Sequence, residues 1–316
     1  LKPFTVPATE PIRVWHLLTH TSGLTYGFLQ TSVVDALYRA AGYDLLPPPG
    51  VNLAEACQAW ANLPLLFQPG TRWGYSVATD VLGRLIEVVS GQRLDEFIAE
   101  RILRPLGMTD TRWWVGGDDV ERLAALYTPG PTGGLTRYDL LGDWSLREPI
   151  LLSGGAGLVS TAADYHRFTQ MLLREGAYDP PAGADASGAG DASGDSGSGG
   201  SGGRRPRLLG SRTVRFMTRN HLPGGKDLQE LSTGGFAETN FEGVGFGLGF
   251  AVVEDPLPSR TLGSPGSYYW GGVASTAFWI DPAEELTVLF FTQLVPSSTY
   301  PIRPQLRQLV YPALID

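Results

Sequence analysis

The hydrophobic period of this chain changes once, and that change sets the fold class. Before residue 179 apolar residues recur at helical spacing. Val77, Val81, Leu85 and the Val88–Val89 pair fall every three to four residues, and Gly91 is a natural stop, so the spacing predicts a helix. Leu94 to Leu103 predicts a second helix, ended by Pro105 and Gly107. Thr161, with Asp164 three residues on, resembles a capping box opening a helix through Leu173. Late in the chain the period becomes two. In VGFGLGFAVVED, Phe246, Leu248, Phe250 and Val252 alternate with Gly245, Gly247, Gly249 and Ala251, which predicts one strand with a bulky and a small face. SYYWGGVASTAFWI and LTVLFFTQL predict two more strands joined by the turn DPAEE, and PIRPQLRQLVYPALI predicts a closing helix. Short connections require antiparallel neighbours. The expected class is α+β: a mainly helical region plus an antiparallel sheet flanked by helices. The chain carries no internal repeat.

Between the two regimes, residues 179–207 read DPPAGADASGAGDASGDSGSGGSGGRRPR. Such a composition cannot bury enough apolar surface to offset its ordering entropy, so disorder is expected. The serine-protease-like Gly194-Asp195-Ser196-Gly197 within it is a chance match. The whole chain has 316 residues, 42% apolar and 18% charged, with a net charge of −8. No Lys/Arg cluster marks a nucleic-acid footprint. No apolar run is long enough to predict a membrane span. The single cysteine, Cys57, allows no intrachain disulfide and fits a reducing compartment such as the cytoplasm. Oligomeric state is left open.

Few side chains are placed to do chemistry. Of four histidines, His16 and His20 have the i, i+4 spacing of helical zinc ligands, but no Glu lies between them and no further cluster follows. No metal or organic cofactor is expected. Gly74-Tyr75-Ser76-Val77-Ala78 comes close to the G-x-S-x-G elbow of a hydrolase nucleophile. An elbow needs a strand entering from a parallel sheet, whereas LLFQPGTRWGY contains Pro69-Gly70 and is a poor strand. Ser76 is therefore expected to cap the following helix. Tyr75 would sit at that helix N-terminus, where the dipole favours negative charge and a nearby ammonium would lower its pKa further.

Several segments carry a resemblance in a fixed order. RVWHLLTHTSGL (Arg13–Leu24) is similar to the LLTHTSGL segment of the serine β-lactamase-like family, which includes class C β-lactamases, D-alanyl-D-alanine peptidases and family VIII carboxylesterases. PGTRWGYSVATDVLGRLIEVVSG resembles the segment holding the second motif, Tyr-x-Asn or Tyr-Ser-x. PLGMTDT and SGGAGLVSTAADYHRF resemble later signatures, and YYWGGVASTAFWIDP resembles the third motif in a Trp-Gly-Gly form. Any one is weak; five in order cover nearly the whole chain outside the Gly/Ser tract. The resemblance implies one β-lactamase-like domain over residues 1–316, lacking its N-terminal part, with 179–207 as an insertion inside it. It implies Tyr75 as the proton-transfer residue, Trp270, Gly271 and Gly272 along the substrate, and the Val273 backbone N–H as half of an oxyanion hole.

The family's Ser-x-x-Lys nucleophile motif is absent. The two lysines are Lys2 and Lys226, and position 223 is Pro223 rather than serine. Either the nucleophile lies on residues that precede this chain in the full protein, or the protein is a non-catalytic binder that keeps the groove; the retained later motifs favour the first. Two departures bear on substrate. Val77 stands where lactamases carry Asn, and Trp270 where they carry Lys, so a cation for the lactam carboxylate is missing. Tyr268, Tyr269 and Trp270 suggest an uncharged pocket, with one of the two tyrosines an ordinary strand residue by alternation. The expected function is a serine hydrolase working through an acyl-enzyme on small neutral esters, with β-lactamase or D-alanyl-D-alanine peptidase action on an amide as the alternative.

Overall fold

The computed structural model describes residues 3–181, 205–234 and 240–315. Most of the Gly/Ser/Ala/Asp-rich stretch, with Gly194–Gly197, lies outside the described residues. The first half holds α1 (Val14–Leu18), α2 (Val33–Ala40), α3 (Leu53–Ala61), α4 (Ala78–Ser90), α5 (Leu94–Ile98) and α6 (Arg104–Leu106). A small hairpin, β1 (Tyr127–Pro129) with β2 (Leu135–Arg137), precedes α7 (Asp139–Gly142), α8 (Ala162–Leu173), α9 (Ser211–Met217) and α10 (Leu228–Leu231). The second half holds β3 (Val244–Phe246), β4 (Ala251–Val253), α11 (Pro256–Ser259), β5 (Tyr268–Gly271), β6 (Ala277–Asp281), β7 (Leu286–Phe290) and α12 (Ile302–Val310). The fold is α+β, as the change of period requires.

Strands β3 to β7 form one antiparallel meander in sequence order. Phe250, Val252, Tyr268, Phe278 and Ile280 project from one face onto Met171 and Leu172 of α8 and onto Leu103, Leu106 and Met108. On the other face Arg307 of α12 lies over the rings of Tyr269 and Trp279, at 5.1 and 4.8 Å. The register pairs Tyr269 with Trp279 and Trp270 with Phe278. Alternation therefore sends Trp270 and Arg307 to opposite faces of the sheet.

The local expectations fare unevenly. Helix α4 ends at Gly91 in the left-handed conformation, φ 71°, as read. The next helix does not stop at Pro105. A π-helical turn at Ala99–Leu103 intervenes, and the chain stays helical to Leu106 before Gly107 ends it. Its bonds there run five residues back, as in Arg104 N–H to Ala99 O, so the register is not the one that a proline ring obstructs. Thr161 caps α8 by accepting from the Asp164 N–H at 3.2 Å. The box is only half made, because the Asp164 carboxylate accepts from Asp110 N–H and Thr111 Oγ1 instead, at 2.8 and 2.9 Å. The single strand expected over 244–253 is a hairpin. Gly249, at φ 95°, and a 2.7 Å bond from Gly247 N–H to Phe250 O turn the chain, and Phe246 pairs with Ala251. Likewise SYYWGGVASTAFWI is two strands, β5 and β6, divided by a turn over 272–276.

The THTSGL segment is a buried polar spacer. Thr19, Thr21 and Ser22 are fully buried, and their cost is offset by hydrogen bonds. Its backbone is stitched to residues 66–77: Leu66 N–H bonds Gly23 O at 2.7 Å, Gly70 N–H bonds Thr21 O at 2.8 Å, and Gly74 N–H bonds His20 O at 2.9 Å. A Cβ on Gly23, at φ 85°, would sit 2.4 Å from Phe67 O, so only glycine permits that approach. His20 closes the seam. Its Nδ1 lies 3.2 Å from Ser76 Oγ, and its ring packs among Trp73, Tyr75 and Phe246.

Burial pulls the His20 pKa down to about 4. In the unfolded chain this imidazole takes a proton below about pH 6.5. The folded protein resists that proton until about pH 4. The stability contributed is therefore complete above about pH 6.5 and is lost as pH falls to 4, at most about 3 kcal/mol. Burial lowers His16 as well, opposed by Glu10. The melting temperature is expected to fall steadily between pH 6.5 and 4. His20→Asn tolerates the positive φ of 54° found there, and should flatten that fall. An equally steep decline in the variant would show that other groups govern it.

Candidate active site

Tyr75 and Trp270 meet where the helical half abuts the sheet. Tyr75 comes from the loop before α4, and Trp270 from the third position of β5. Their ring centroids are 5.6 Å apart, and the indole N–H donates to the phenol oxygen. Phe246 lies edge-on to Trp270 at 5.4 Å, and Trp73 stacks on Tyr75 at 6.4 Å. Tyr75 is thus held in an aromatic cage with a hydrogen bond at its hydroxyl.

Burial pushes the Tyr75 pKa above its ordinary value. The Trp270 hydrogen bond and the nearby Arg303 cation oppose the rise, and the Asp80 charge adds to it. The expected lowering does not occur in this chain. Helix α4 begins three residues later, at Ala78, and the first-turn residue Asp80 sets a carboxylate where a dipole alone would have favoured phenolate. Tyr75 is a neutral phenol at neutral pH.

Ser76 does not cap α4. It is wholly buried (0% exposed), with its hydroxyl turned inward to His20. The N-cap of α4 is Val77, which makes no side-chain cap. Val77 itself packs with Leu24, Trp60 and Ala78, so the position that would carry a substrate amide points into the core. Cys57 offers no alternative nucleophile, because burial raises its thiol pKa to about 12 and leaves little thiolate.

Beneath Tyr75 lies a network that sequence reading missed. Asp80 is 5% exposed. Its carboxylate accepts from Ser153 Oγ and from Gly155 N–H, the latter at 3.4 Å, and from the Tyr26 hydroxyl. Burial raises the Asp80 pKa, and the bonds from Ser153 and Gly155 pull it back. Tyr26 is held neutral by burial and by the Asp80 carboxylate to which it donates, and its ring lies 5.2 Å from that of Tyr75. The SGGAG stretch reaches Asp80 because Gly154 has no side chain; a Cβ there would be 2.2 Å from Thr79 O. A signal for Asp80 did exist. It falls three residues after Val77 on the apolar face of α4, where an acid needs a reason.

The remaining sequence candidates lie on β5 and the turn after it. Tyr268 is committed to the core with Phe250 and Phe278, and Tyr269 lies under Arg307, so both leave Trp270 alone at Tyr75. The room left by the missing Cβ of Gly271 is filled by the Arg303 guanidinium, whose Nη2 would be 2.3 Å from that atom. The room at Gly272 is filled by Thr276 Oγ1, also at 2.3 Å. The space that each glycine leaves is thus taken by one of the chain's own side chains. Val273 is 55% exposed, and among the described residues none accepts from its N–H.

Metal chemistry has no visible anchor: among the described residues no three His, Cys, Asp or Glu side chains are grouped to hold an ion. His16 Nδ1 accepts from Arg13 N–H at 3.0 Å, and His20 faces Ser76. No described helix is long and apolar enough to cross a membrane.

Known proteins share this architecture. Protein Rv1367c of Mycobacterium tuberculosis is 36% identical over 298 residues, covering 92% of this chain; the chain spans 65% of that relative's length. Esterase EstB of Burkholderia gladioli is 32% identical over 316 residues, covering 98% of this chain and 72% of its own. Among solved structures, EstCE1, described as a hydrolase with promiscuous acyltransferase activity, superposes with a TM-score of 0.71 at 25% identity, covering 95% of this chain and 72% of its own. The Beta-lactamase family profile matches residues 1–311. With that span matched, and with an esterase one of its relatives along nearly its full length, the chain belongs to the Beta-lactamase family.

Proposed function

We propose that the protein is a serine hydrolase that cleaves small neutral esters through an acyl-enzyme, within a single β-lactamase-like domain interrupted by residues 179–207. The observation that carries this reading is the Trp270–Tyr75 pair. Where a lactamase would offer a cation, this site offers an indole N–H already given to the phenol. The nearby guanidinium of Arg303 is engaged with the carbonyls of Gly272 and Thr276. A lactam carboxylate would be buried beside apolar rings at a cost of several kcal/mol. A neutral ester brings no such charge. The similarity to EstB supports the same reaction class.

The nucleophilic serine and its lysine are assigned to residues preceding position 1, because no Ser-x-x-Lys occurs in the sequence. The serine oxygen adds to the ester carbonyl while its proton passes through Tyr75 and the lysine to the departing alkoxide. The oxyanion that forms is held by the Val273 N–H and the serine N–H. Water then adds to the acyl-enzyme, and collapse of that second intermediate frees the acid and restores the serine. An incoming lysine ammonium would also offset the burial that now keeps Tyr75 neutral.

Three outcomes follow for p-nitrophenyl butyrate and nitrocefin. The 316-residue chain alone should hydrolyse neither; rapid ester turnover that Ser76→Ala abolishes would return the nucleophile to Ser76. The intact protein, with its preceding residues, should show a higher kcat/KM for the ester, and the reverse order would overturn the ester assignment. Tyr75→Phe should cut kcat by about 10²–10⁴-fold. It should cost about 1–3 kcal/mol of stability, since the Trp270 N–H loses its acceptor. An unimpaired Tyr75→Phe enzyme would remove Tyr75 from the proton path.

A further inference from the structure

Arg303 is placed against the usual preferences. It is the second residue of α12, in the first turn, where the helix dipole repels a cation. It is half-buried, and its guanidinium occupies the gap under β5 that Gly271 leaves open. From there Nη2 donates to Gly272 O at 3.0 Å and to Thr276 O at 3.2 Å. The Gly272 carbonyl also accepts from Ser275 N–H at 3.1 Å. One oxygen thus collects two donors, one of them charged.

That carbonyl belongs to the same peptide group as the Val273 N–H. The peptide is planar and trans, so its C=O and N–H point in opposite directions. Anchoring the oxygen toward α12 turns the Val273 N–H away from α12. Donation to the oxygen also polarises the group, which makes the N–H a stronger donor. We infer that Arg303 is a positioning residue for catalysis: through Gly272 O it orients and polarises the Val273 N–H that receives the oxyanion. The inference rests on the oxyanion role given to Val273 above. It also explains Gly271 as the opening that lets the guanidinium reach the carbonyl.

Two measurements separate this inference from the ester assignment. The first needs no activity. With carbonyl-13C glycine and 15N valine, only Val51, Val244 and Val273 follow a glycine in this sequence, and Val273→Ile identifies the third signal. In Arg303→Met the Val273 amide proton should move upfield while those of Val51 and Val244 stay in place. A Val273 signal that does not move overturns the inference. The second measurement uses the intact enzyme and p-nitrophenyl butyrate. Arg303→Met should lower kcat about tenfold to a hundredfold, less than the loss for deleting an oxyanion donor outright, with KM within about twofold. Arg303→Lys, which keeps the charge but not the fork, should recover part of the kcat. Gly271→Ala, which closes the gap, should reproduce the Arg303→Met kinetics and the Val273 shift. A moved Val273 signal with unchanged kcat would overturn the catalytic role. If the intact enzyme cleaves no ester, the ester assignment falls, and the orienting role of Arg303 is decided by the Val273 signal alone.

Discussion

The hydrogen bond from the Trp270 indole to the Tyr75 phenol joins the helical half of this molecule to its sheet. Each partner is held from behind by its own half. Tyr75 sits on a loop whose neighbours are stitched to the THTSGL segment, and Trp270 stands on a strand held by neighbours on both sides. Its surroundings are largely aromatic, with Trp73 and Phe246 against the two rings. In such a setting a polar contact gains strength and its loss costs more than in water. Sheet, helices and buried polar seam can be understood as supports that keep those two side chains in register.

The buried acid below them shows how such a site tolerates a costly group. Asp80 accepts from Ser153, Gly155 and Tyr26. Those donors come from two separate parts of the chain, and the acid itself from a third. A carboxylate satisfied in this way fixes the relative positions of α4, the SGGAG stretch and the loop bearing Tyr26. It also places a negative potential under the phenol of Tyr75 and so opposes its ionisation. The same group therefore organises the floor of the site and sets the charge state of the residue above it.

What the sequence revealed depended on whether a signal was local. Helix α4 was legible because its apolar period is strong and Gly91 ends it cleanly. The β3–β4 hairpin was not, because the alternation of bulky and small residues runs unbroken through its turn, and nothing in the pattern marks Gly249 as the residue that reverses the chain. Tyr75 and Trp270 could be picked out by motif resemblance, and the structure brings them together. Ser76 misled in a different way. A serine before a helix is normally a cap, but here a histidine more than fifty residues earlier claims its hydroxyl. Arg303 had no signal at all. Its meaning lies in a glycine thirty-two positions away, and only the folded sheet puts the two in contact.

The Gly/Ser/Ala/Asp-rich stretch leaves and rejoins the body at two points that are themselves bonded. Ala177 and Arg207 form an antiparallel bridge, Tyr178 N–H bonds Pro206 O at 3.0 Å, and Leu208 N–H bonds Gly176 O at 2.9 Å. Asp179 adds ion pairs to Arg174 and Arg205. A clasp of this kind separates the length of an insertion from the geometry of its host. Closing a loop costs free energy that grows only with the logarithm of its length, about 0.6 kcal/mol per doubling. The clasp thus fixes where residues 179 and 205 stand on the body, whatever the length of chain between them.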